Sequence, residues 1–125
     1  MYKALIDRDS LVDPMVLSDY EILSTYEEKW EGDEPEVLHI SKVIIPEGKV
    51  SGLIKILSSH GLQEGWFALV WNYSSAIVVF KDRVFTLQNK KPWNEAELSE
   101  IMEYGKKNEI DKKYFLNMRS VMDTW

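Results

Sequence analysis

The sequence predicts an α+β fold, with a mainly antiparallel sheet of about four to five strands and two to three helices packed on one face. Three β-rich runs follow one another between residues 66 and 87, and residues 47–60 and 94–104 repeat apolar residues at helical spacing. Strands joined by short links pair antiparallel, and amphipathic helices cover an apolar face of a sheet. At 125 residues, the chain (1–125) is predicted to be a single domain.

The first 45 residues contain two predicted strands and one ambiguous segment. Tyr2–Ile6 is predicted to be a short strand. Asp13-Pro14 begins a brief helical turn, because Asp caps free amide groups and Pro suits the first helical position. Glu21–Trp30 alternates like a strand, but its pair of glutamates favours a helix. Val37–Ile45 is rich in β-branched residues and is predicted to be a strand.

A helix is predicted from Pro46 to about His60. Its apolar residues recur three and four positions apart and are Val50, Leu53, Ile54 and Leu57. Gly61 is expected to end the helix in a left-handed conformation. Gly52 costs about 1 kcal/mol relative to Ala inside a helix, which indicates that it allows close packing against the sheet.

Residues 66–87 form the densest apolar block of the chain and are predicted to be the structural centre of the sheet. Ala76–Phe80 is apolar on both faces, so it should be covered on both sides. A two-residue turn at Lys81-Asp82 would pair Phe80 with Arg83. A loop of three to four residues is the alternative, since Lys-Asp is a poor pair for such a turn.

Two helices are predicted in the last third of the chain. Asn94 caps the first helix, Glu97 completes a capping-box spacing, and Gly105 ends the helix after Tyr104. A last helix begins at about Asp111 and repeats apolar residues that should dock on the core or on a partner. These residues are Phe115, Met118, Met122 and Trp125.

The negative charge is concentrated in the first 36 residues. They hold 11 acidic and three basic residues, whereas the remaining 89 hold 10 acidic and 12 basic residues. Such a segment repels nucleic acid and anionic membranes and attracts a basic partner. The sequence contains no run of 18 apolar residues, so no membrane span is predicted. The N-terminus lacks the pattern of a signal peptide. Because the chain also has no cysteine, a cytoplasmic protein is expected.

No sequence motif predicts a metal site or a bound cofactor. His39 and His60 are the only histidines, and their spacing fits no metal motif, so structural roles are favoured. Asp7, Asp9 and Asp13 resemble an acidic cation loop but lack its glycine and its terminal glutamate. Turn-forming and capping roles explain these three residues better.

No catalytic residues are predicted either, because no nucleophile motif is present. The adjacent acidic pairs, Glu27-Glu28 and Asp33-Glu34, lie in polar runs. A general acid needs a carboxyl group partly buried beside apolar surface, so these carboxylates are expected to be solvated.

A small basic and aromatic patch follows the central strand and consists of Lys81, Arg83, Lys90, Lys91 and Trp93. This composition is typical of a surface that binds single-stranded nucleic acid. The acidity of the whole chain favours solvated hairpin ends instead, and no nucleic-acid partner is predicted.

The acidic stretch around Trp30 is the strongest functional signal. An aromatic side chain ringed by charge is typical of an interface hot spot, although Trp30 could equally fold back onto the domain. The predicted protein-binding residues are Glu27, Glu28, Trp30, Glu31, Asp33 and Glu34. The favoured function is a protein-interaction domain without catalytic activity, comparable to an inhibitor or immunity protein that faces a basic partner.

A pocket between the sheet and the helices is the alternative, in a small-ligand-binding protein or an enzyme. Trp71, Tyr73 and His39 are the residues expected to line it. A homodimer formed through a sheet edge or the C-terminal helix is compatible with either function.

Three features between residues 66 and 105 form a recognisable pattern. They are the strand Trp66-Phe67-Ala68, the hairpin IVVFKDRVF at residues 77–85, and a helix that runs from Trp93 to Glu103-Tyr104-Gly105. The pattern resembles an uncharacterised family of small prokaryotic proteins. This resemblance implies an α+β domain and no assigned activity. The acidic segment 27–36 and the tail from Asp111 depart from the pattern.

Overall fold

The computed structural model describes residues 1–32 and 35–125. In these residues, six strands form one antiparallel sheet on which four helices pack. The strands are β1 (Tyr2–Asp7), β2 (Glu21–Trp30), β3 (Glu36–Ile45), β4 (Phe67–Trp71), β5 (Ser75–Phe80) and β6 (Arg83–Gln88). The helices are α1 (Glu47–Ile56), α2 (Glu95–Lys107), α3 (Lys112–Leu116) and α4 (Met118–Asp123). The predicted α+β class is confirmed, with more strands and helices than expected.

The strand order is β2-β3-β1-β4-β5-β6, so the N-terminal strand lies in the middle of the sheet. The ambiguous segment Glu21–Trp30 is a full strand that pairs with β3 along its length, which accounts for the underestimate of four to five strands. Pairing with a neighbouring strand outweighs the weak helix preference of its glutamates, because strand preference depends strongly on context.

The helices cover both faces of the sheet, which corrects the prediction that they lie on one. Leu53 of α1 packs with Ala4 and Val79 on one face. Ile101 of α2 and Phe115 of α3 pack with Val78 on the other. The strands β1, β4 and β5 carry apolar residues on both faces, so each face must bury its own layer.

The hairpin between β5 and β6 has a two-residue turn, which is the first of the two alternatives that the sequence left open. Phe80 pairs with Arg83, and Asp82 adopts a positive φ of 69°. The predicted cover on both sides of Ala76–Phe80 is also confirmed, since Ala76, Val78 and Phe80 lie in one apolar core and Val79 lies in the other.

Two predictions about the glycines of the first helix are wrong. After α1 the chain continues in a wider helical turn, Leu57–Gly61, and Gly65 rather than Gly61 has a positive φ, of 83°. Gly61 lies so close to the preceding turn that a Cβ atom there would be 3.0 Å from the carbonyl oxygen of Ile56. Gly52 is exposed, and a Cβ atom there would meet nothing within 4 Å, so it does not pack against the sheet.

The C-terminal elements begin at the predicted residues. The Asn94 side chain accepts a hydrogen bond from the amide of Glu97 (3.0 Å), and the Asp111 side chain accepts one from the amide of Lys113 (2.9 Å). The last helix is divided into α3 and α4 at Asn117. Its apolar side docks on the core, where Phe115 is fully buried.

Gly105 does not end α2 as predicted, because the helix continues to Lys107. Gly105 is buried against the ring of Phe115, and a Cβ atom there would lie 2.7 Å from the Cζ atom of that ring. The glycine is therefore explained by the close approach of α3 to α2.

Candidate functional site

A cleft of about 460 Å³ lies between the sheet and the C-terminal helices. Its floor comes from β1 to β4, and its opposite wall comes from α3, α4 and the residues that precede them. The aromatic side chains that line it are Tyr26, Trp30, Trp66, Phe67 and Tyr114. Its volume is within the range of about 300–1,000 Å³ that is usual for small-ligand sites. We refer to it as the sheet–helix cleft.

Strand β2 supplies three of the residues that line the cleft. Tyr26, Glu28 and Trp30 alternate along β2 and all three point to the side of α3 and α4. They stand opposite Ile40, Leu38 and Glu36 of β3 in the pairing register. The long two-stranded end of the sheet thus supplies one continuous lining.

Four carboxylates line this otherwise apolar cleft, and they are Asp7, Glu28, Glu36 and Glu109. Burial raises the pKa of Asp7, which is only 5% exposed and accepts hydrogen bonds from the amides of Asp9 (2.7 Å) and His39 (3.3 Å). Burial also raises the pKa of Glu28, an effect that the neighbouring Trp30 indole partly offsets. Asp7 is therefore a buried carboxylate, whereas Glu28 is half-buried.

Trp30 folds back onto the domain. Its ring meets the ring of Tyr114 edge to face, with 4.9 Å between the centroids, and the Nζ atom of Lys113 lies 5.2 Å above its centroid. The Nε1 atom of Trp30 is buried and has no hydrogen-bond partner of normal geometry in the described part of the chain. The tryptophan is thus a wall of the cleft and not a fully exposed anchor.

Tyr114 completes this corner of the cleft. Its hydroxyl donates a hydrogen bond to the Glu36 carboxylate, and burial, together with that hydrogen bond, raises the pKa of Tyr114 well above its usual value. The hydrogen bond ties α3 to β3 at the open end of the sheet.

The predicted protein-binding residues do not form one surface. Glu28 and Trp30 point into the sheet–helix cleft, whereas Glu27 is exposed on the opposite face of β2, where it approaches His39 (3.7 Å). Glu31 is exposed just after the strand. Asp33 and Glu34 lie outside the described residues. The prediction that Glu28 is a solvated carboxylate is wrong, because the period of two in a strand turns it toward apolar groups.

The alternative pocket is present between the sheet and the helices, but its lining was predicted from the wrong residues. Tyr73 is 91% exposed in the turn before β5, Trp71 is buried against Trp125, and His39 faces the other side of the sheet. The lining residues Trp66 and Tyr114 come from distant parts of the sequence. The alternation of Tyr26, Glu28 and Trp30 was the one local signal that could have indicated it.

His39 contacts a carboxylate on the face of the sheet that lies away from the cleft. Its Nδ1 atom lies 2.8 Å from the Asp9 carboxylate, and this contact raises the pKa of His39 above its usual value, with smaller contributions from Glu27 and Asp7. Asp7 and Asp13 act as predicted, since their side chains accept hydrogen bonds from the amides two residues later.

Replacing His39 with Gln is expected to remove a pH-dependent part of the stability. Because the pKa of His39 is raised on folding, its contribution is fully present below its unfolded value of about 6.5 and is lost as the pH rises through the raised value. Urea unfolding at about pH 5.5 and about pH 8.5 should therefore show a larger loss of stability for the wild type than for the variant. His60→Gln is the control, since His60 contacts the Ser59 hydroxyl (3.0 Å) and no carboxylate in the described residues. If the stability of the wild type and of His39→Gln depended equally on pH, the contact between His39 and Asp9 would not contribute to the pH dependence.

The basic patch is divided between the two ends of the β5–β6 hairpin. Lys81 lies in its turn and Arg83 follows the turn, and the Lys81 ammonium lies 3.7 Å from Glu64. Lys91 pairs with Asp123 (2.8 Å), and Trp93 stacks under the Arg119 guanidinium at 4.0 Å. The patch does not form a continuous surface.

No protein-family model, curated protein or solved structure is significantly similar to this chain. The resemblance of residues 66–105 to small prokaryotic proteins therefore stays a prediction. Among the described residues, no three histidine, aspartate or glutamate side chains are arranged to hold a metal ion. No helix of the described chain has the length and apolar character needed to cross a membrane.

Proposed function

We propose that the protein binds a small organic molecule in the sheet–helix cleft, without catalysis. The observation that carries this proposal is the combination of a volume of about 460 Å³ with five aromatic walls and a few convergent polar groups. Ligand sites are typically concave, mostly apolar and equipped with a small number of placed polar groups.

The neighbouring elements support the same proposal. Phe115 and Met118, which are buried, hold α3 and α4 on the sheet. The hydrogen bond from Tyr114 to Glu36 joins the two walls at the open end. A cleft whose walls are held on both sides needs little reorganisation on binding, which favours affinity.

Filling the cleft is expected to abolish ligand binding. Val121 lines the cleft from α4, so Val121→Phe should occupy part of its volume. Leu116→Phe is the matched control, because Leu116 is on α3 but is exposed to solvent. The wild type and both variants would be compared by thermal shift against a metabolite library, after circular dichroism has shown that each is folded. Hits that bind the wild type and Leu116→Phe but not Val121→Phe are expected. A flat wild-type response, or hits that Val121→Phe retains, would contradict the proposal.

A protein-binding role is the second candidate, and the outer edge of β2 favours it. This strand ends the sheet, so its outer backbone groups pair with no strand in the described residues. Ile22, Leu23 and Glu27 are exposed on this strand, and Glu31 is exposed directly after it. An open edge can accept an extended segment of a partner, and the acidic side chains would favour a basic one. Both candidate functions are compatible with a cytoplasmic protein, which the absence of cysteine favours.

Charge reversal tests this second candidate. If Glu27 and Glu31 contact a basic partner, Glu27→Lys with Glu31→Lys should release a protein that co-purifies with the wild type. Glu95→Lys with Glu100→Lys, on the exposed side of α2, is the control. A co-purifying protein that both double variants retain equally would contradict a role for the acidic edge.

A further inference from the structure

We propose that the ligand of the sheet–helix cleft is a small organic cation, in which an ammonium group is attached to an apolar, ring-sized body. This inference rests on the proposed function, because it names the chemistry of the molecule that the cleft accepts. It is carried by the charge of the lining, the aromatic walls and the position of one lysine of the chain itself.

The lining of the cleft has a single sign of charge. Four carboxylates contribute to it (Asp7, Glu28, Glu36 and Glu109), and none of the residues that line it is a lysine, an arginine or a histidine. An anionic ligand would meet like charges in a partly buried site, where electrostatic repulsion is poorly screened. A neutral ligand would gain no ionic attraction from the four carboxylates, of which Asp7 is buried, Glu28 is half-buried, and Glu36 and Glu109 are exposed. A cationic ligand avoids the repulsion and is attracted by the carboxylates.

The aromatic walls favour a cation independently of the carboxylates. Trp30, Trp66, Tyr26 and Tyr114 present indole and phenol rings to the cleft. The electron-rich faces of such rings attract ammonium groups, most strongly in the case of tryptophan. The same rings pack well against an apolar body.

Lys113 already demonstrates this preference at the rim. Its ammonium nitrogen lies 5.2 Å from the centroid of Trp30 and 5.1 Å from the centroid of Tyr114. A second lysine, Lys42, lies near the other end of the cleft, 5.5 Å from the centroid of Tyr26. The protein thus places two of its own ammonium groups against aromatic rings that line the cleft, although neither lysine is itself among the lining residues.

The small size of the cation follows from the shape of the site. The cleft lies between the sheet and two helices, and its most buried lining residues include Leu5 of β1 and Leu69 of β4. A lysine side chain of a partner protein would reach the carboxylates but would leave the aromatic walls largely unfilled. An ammonium group attached to a ring-sized body can contact the carboxylates and also fill the space between the aromatic walls.

Three soluble compounds with the same ring test the charge preference: 2-phenylethylammonium, the neutral 2-phenylethanol and the anion phenylacetate. Binding would be followed by the indole N–H resonances in heteronuclear NMR spectra. The cation is expected to bind at least about tenfold more tightly than the alcohol and to shift the resonances of Trp30 and Trp66. Phenylacetate should bind most weakly.

Two substitutions on β2 separate the cleft from the general negative charge of the protein. Glu28→Gln, inside the cleft, should reduce the preference for the cation over the alcohol. Glu27→Gln removes the same charge on the opposite face of the strand and should leave the preference unchanged. Lys113→Met should strengthen binding of the cation, since it removes a competing ammonium from the rim.

The outcomes distinguish the two proposals. Equal or tighter binding of the alcohol or of phenylacetate would overturn the cation assignment while the cleft stays a ligand site. If Glu28→Gln and Glu27→Gln reduced the preference for the cation equally, the cation assignment would also be overturned. The preference would then come from the net charge of the protein and not from the cleft. Tighter binding of N-acetyl-lysinamide than of 2-phenylethylammonium would overturn the small-molecule source in favour of a protein side chain. The library screen with Val121→Phe decides separately whether the cleft binds ligands at all.

Discussion

Replacing Phe115 with Ala is expected to lower the free energy of unfolding by about 3–5 kcal/mol. Phe115 is fully buried, and its ring lies 4.8 Å from the ring centroid of Phe67 and 6.0 Å from that of Phe80. Truncation removes this apolar contact and leaves a cavity at the point where α3 meets both α2 and the sheet. The total stability of a domain is typically about 5–15 kcal/mol, so the loss would be a large part of it.

Urea unfolding followed by tryptophan fluorescence would measure this loss. Leu116→Ala is the matched control, because Leu116 is the next residue on the same helix and is exposed to solvent. It should change the stability by no more than about 0.5 kcal/mol. A loss below about 1 kcal/mol for Phe115→Ala would show that α3 is not held by this ring. Because α3 also carries Tyr114, the variant should bind cleft ligands more weakly.

Replacing Gly105 with Ala is expected to lower the stability by about 1–3 kcal/mol, although Ala is the better helix former. The added methyl group would lie 2.7 Å from the Cζ atom of Phe115, well inside van der Waals contact, and both residues are buried. Gly52→Ala is the control in α1, since its methyl group would meet nothing within 4 Å. That substitution should raise the stability by about 0.5–1 kcal/mol.

The combination of both substitutions provides a direct test of the contact. In the Phe115→Ala background the ring that opposes the new methyl group is gone, so Gly105→Ala should become neutral or stabilising. The interaction energy of the double-mutant cycle should then be of order 1–3 kcal/mol. Additive effects would mean that Gly105 and Phe115 do not constrain each other, which would contradict the packing of α2 against α3.

Much of the fold could be predicted because its signals are local. The β-branched residues of β3, the continuous apolar runs of β4 and β5, the apolar spacing of α1 and the cap at Asn94 depend on neighbours within a few residues. The turn at Lys81-Asp82 was predictable for the same reason. Glu21–Trp30 was ambiguous because its conformation depends on pairing with β3, which follows in the sequence.

The candidate site could be predicted only in part. The acidic stretch and Trp30 were singled out, and two of those residues, Glu28 and Trp30, line the sheet–helix cleft. Trp66 and Tyr114 were missed, because they come from a loop and a helix that the fold brings to β2. Trp71, Tyr73 and His39 were wrongly assigned to a pocket, since the number of aromatic residues in a segment does not say which face they occupy.

The sequence by itself determined the α+β class, the positions of most strands and helices, and the concentration of acidic residues near Trp30, because these follow from local spacing and composition. The tertiary structure alone decided that helices cover both faces of the sheet and that β1 lies at its centre. It also decided that Glu27 and Glu28, which are adjacent in the chain, point to opposite faces of the sheet. The physical reason is that the direction of a side chain is set by strand register and by the packing of elements distant in sequence.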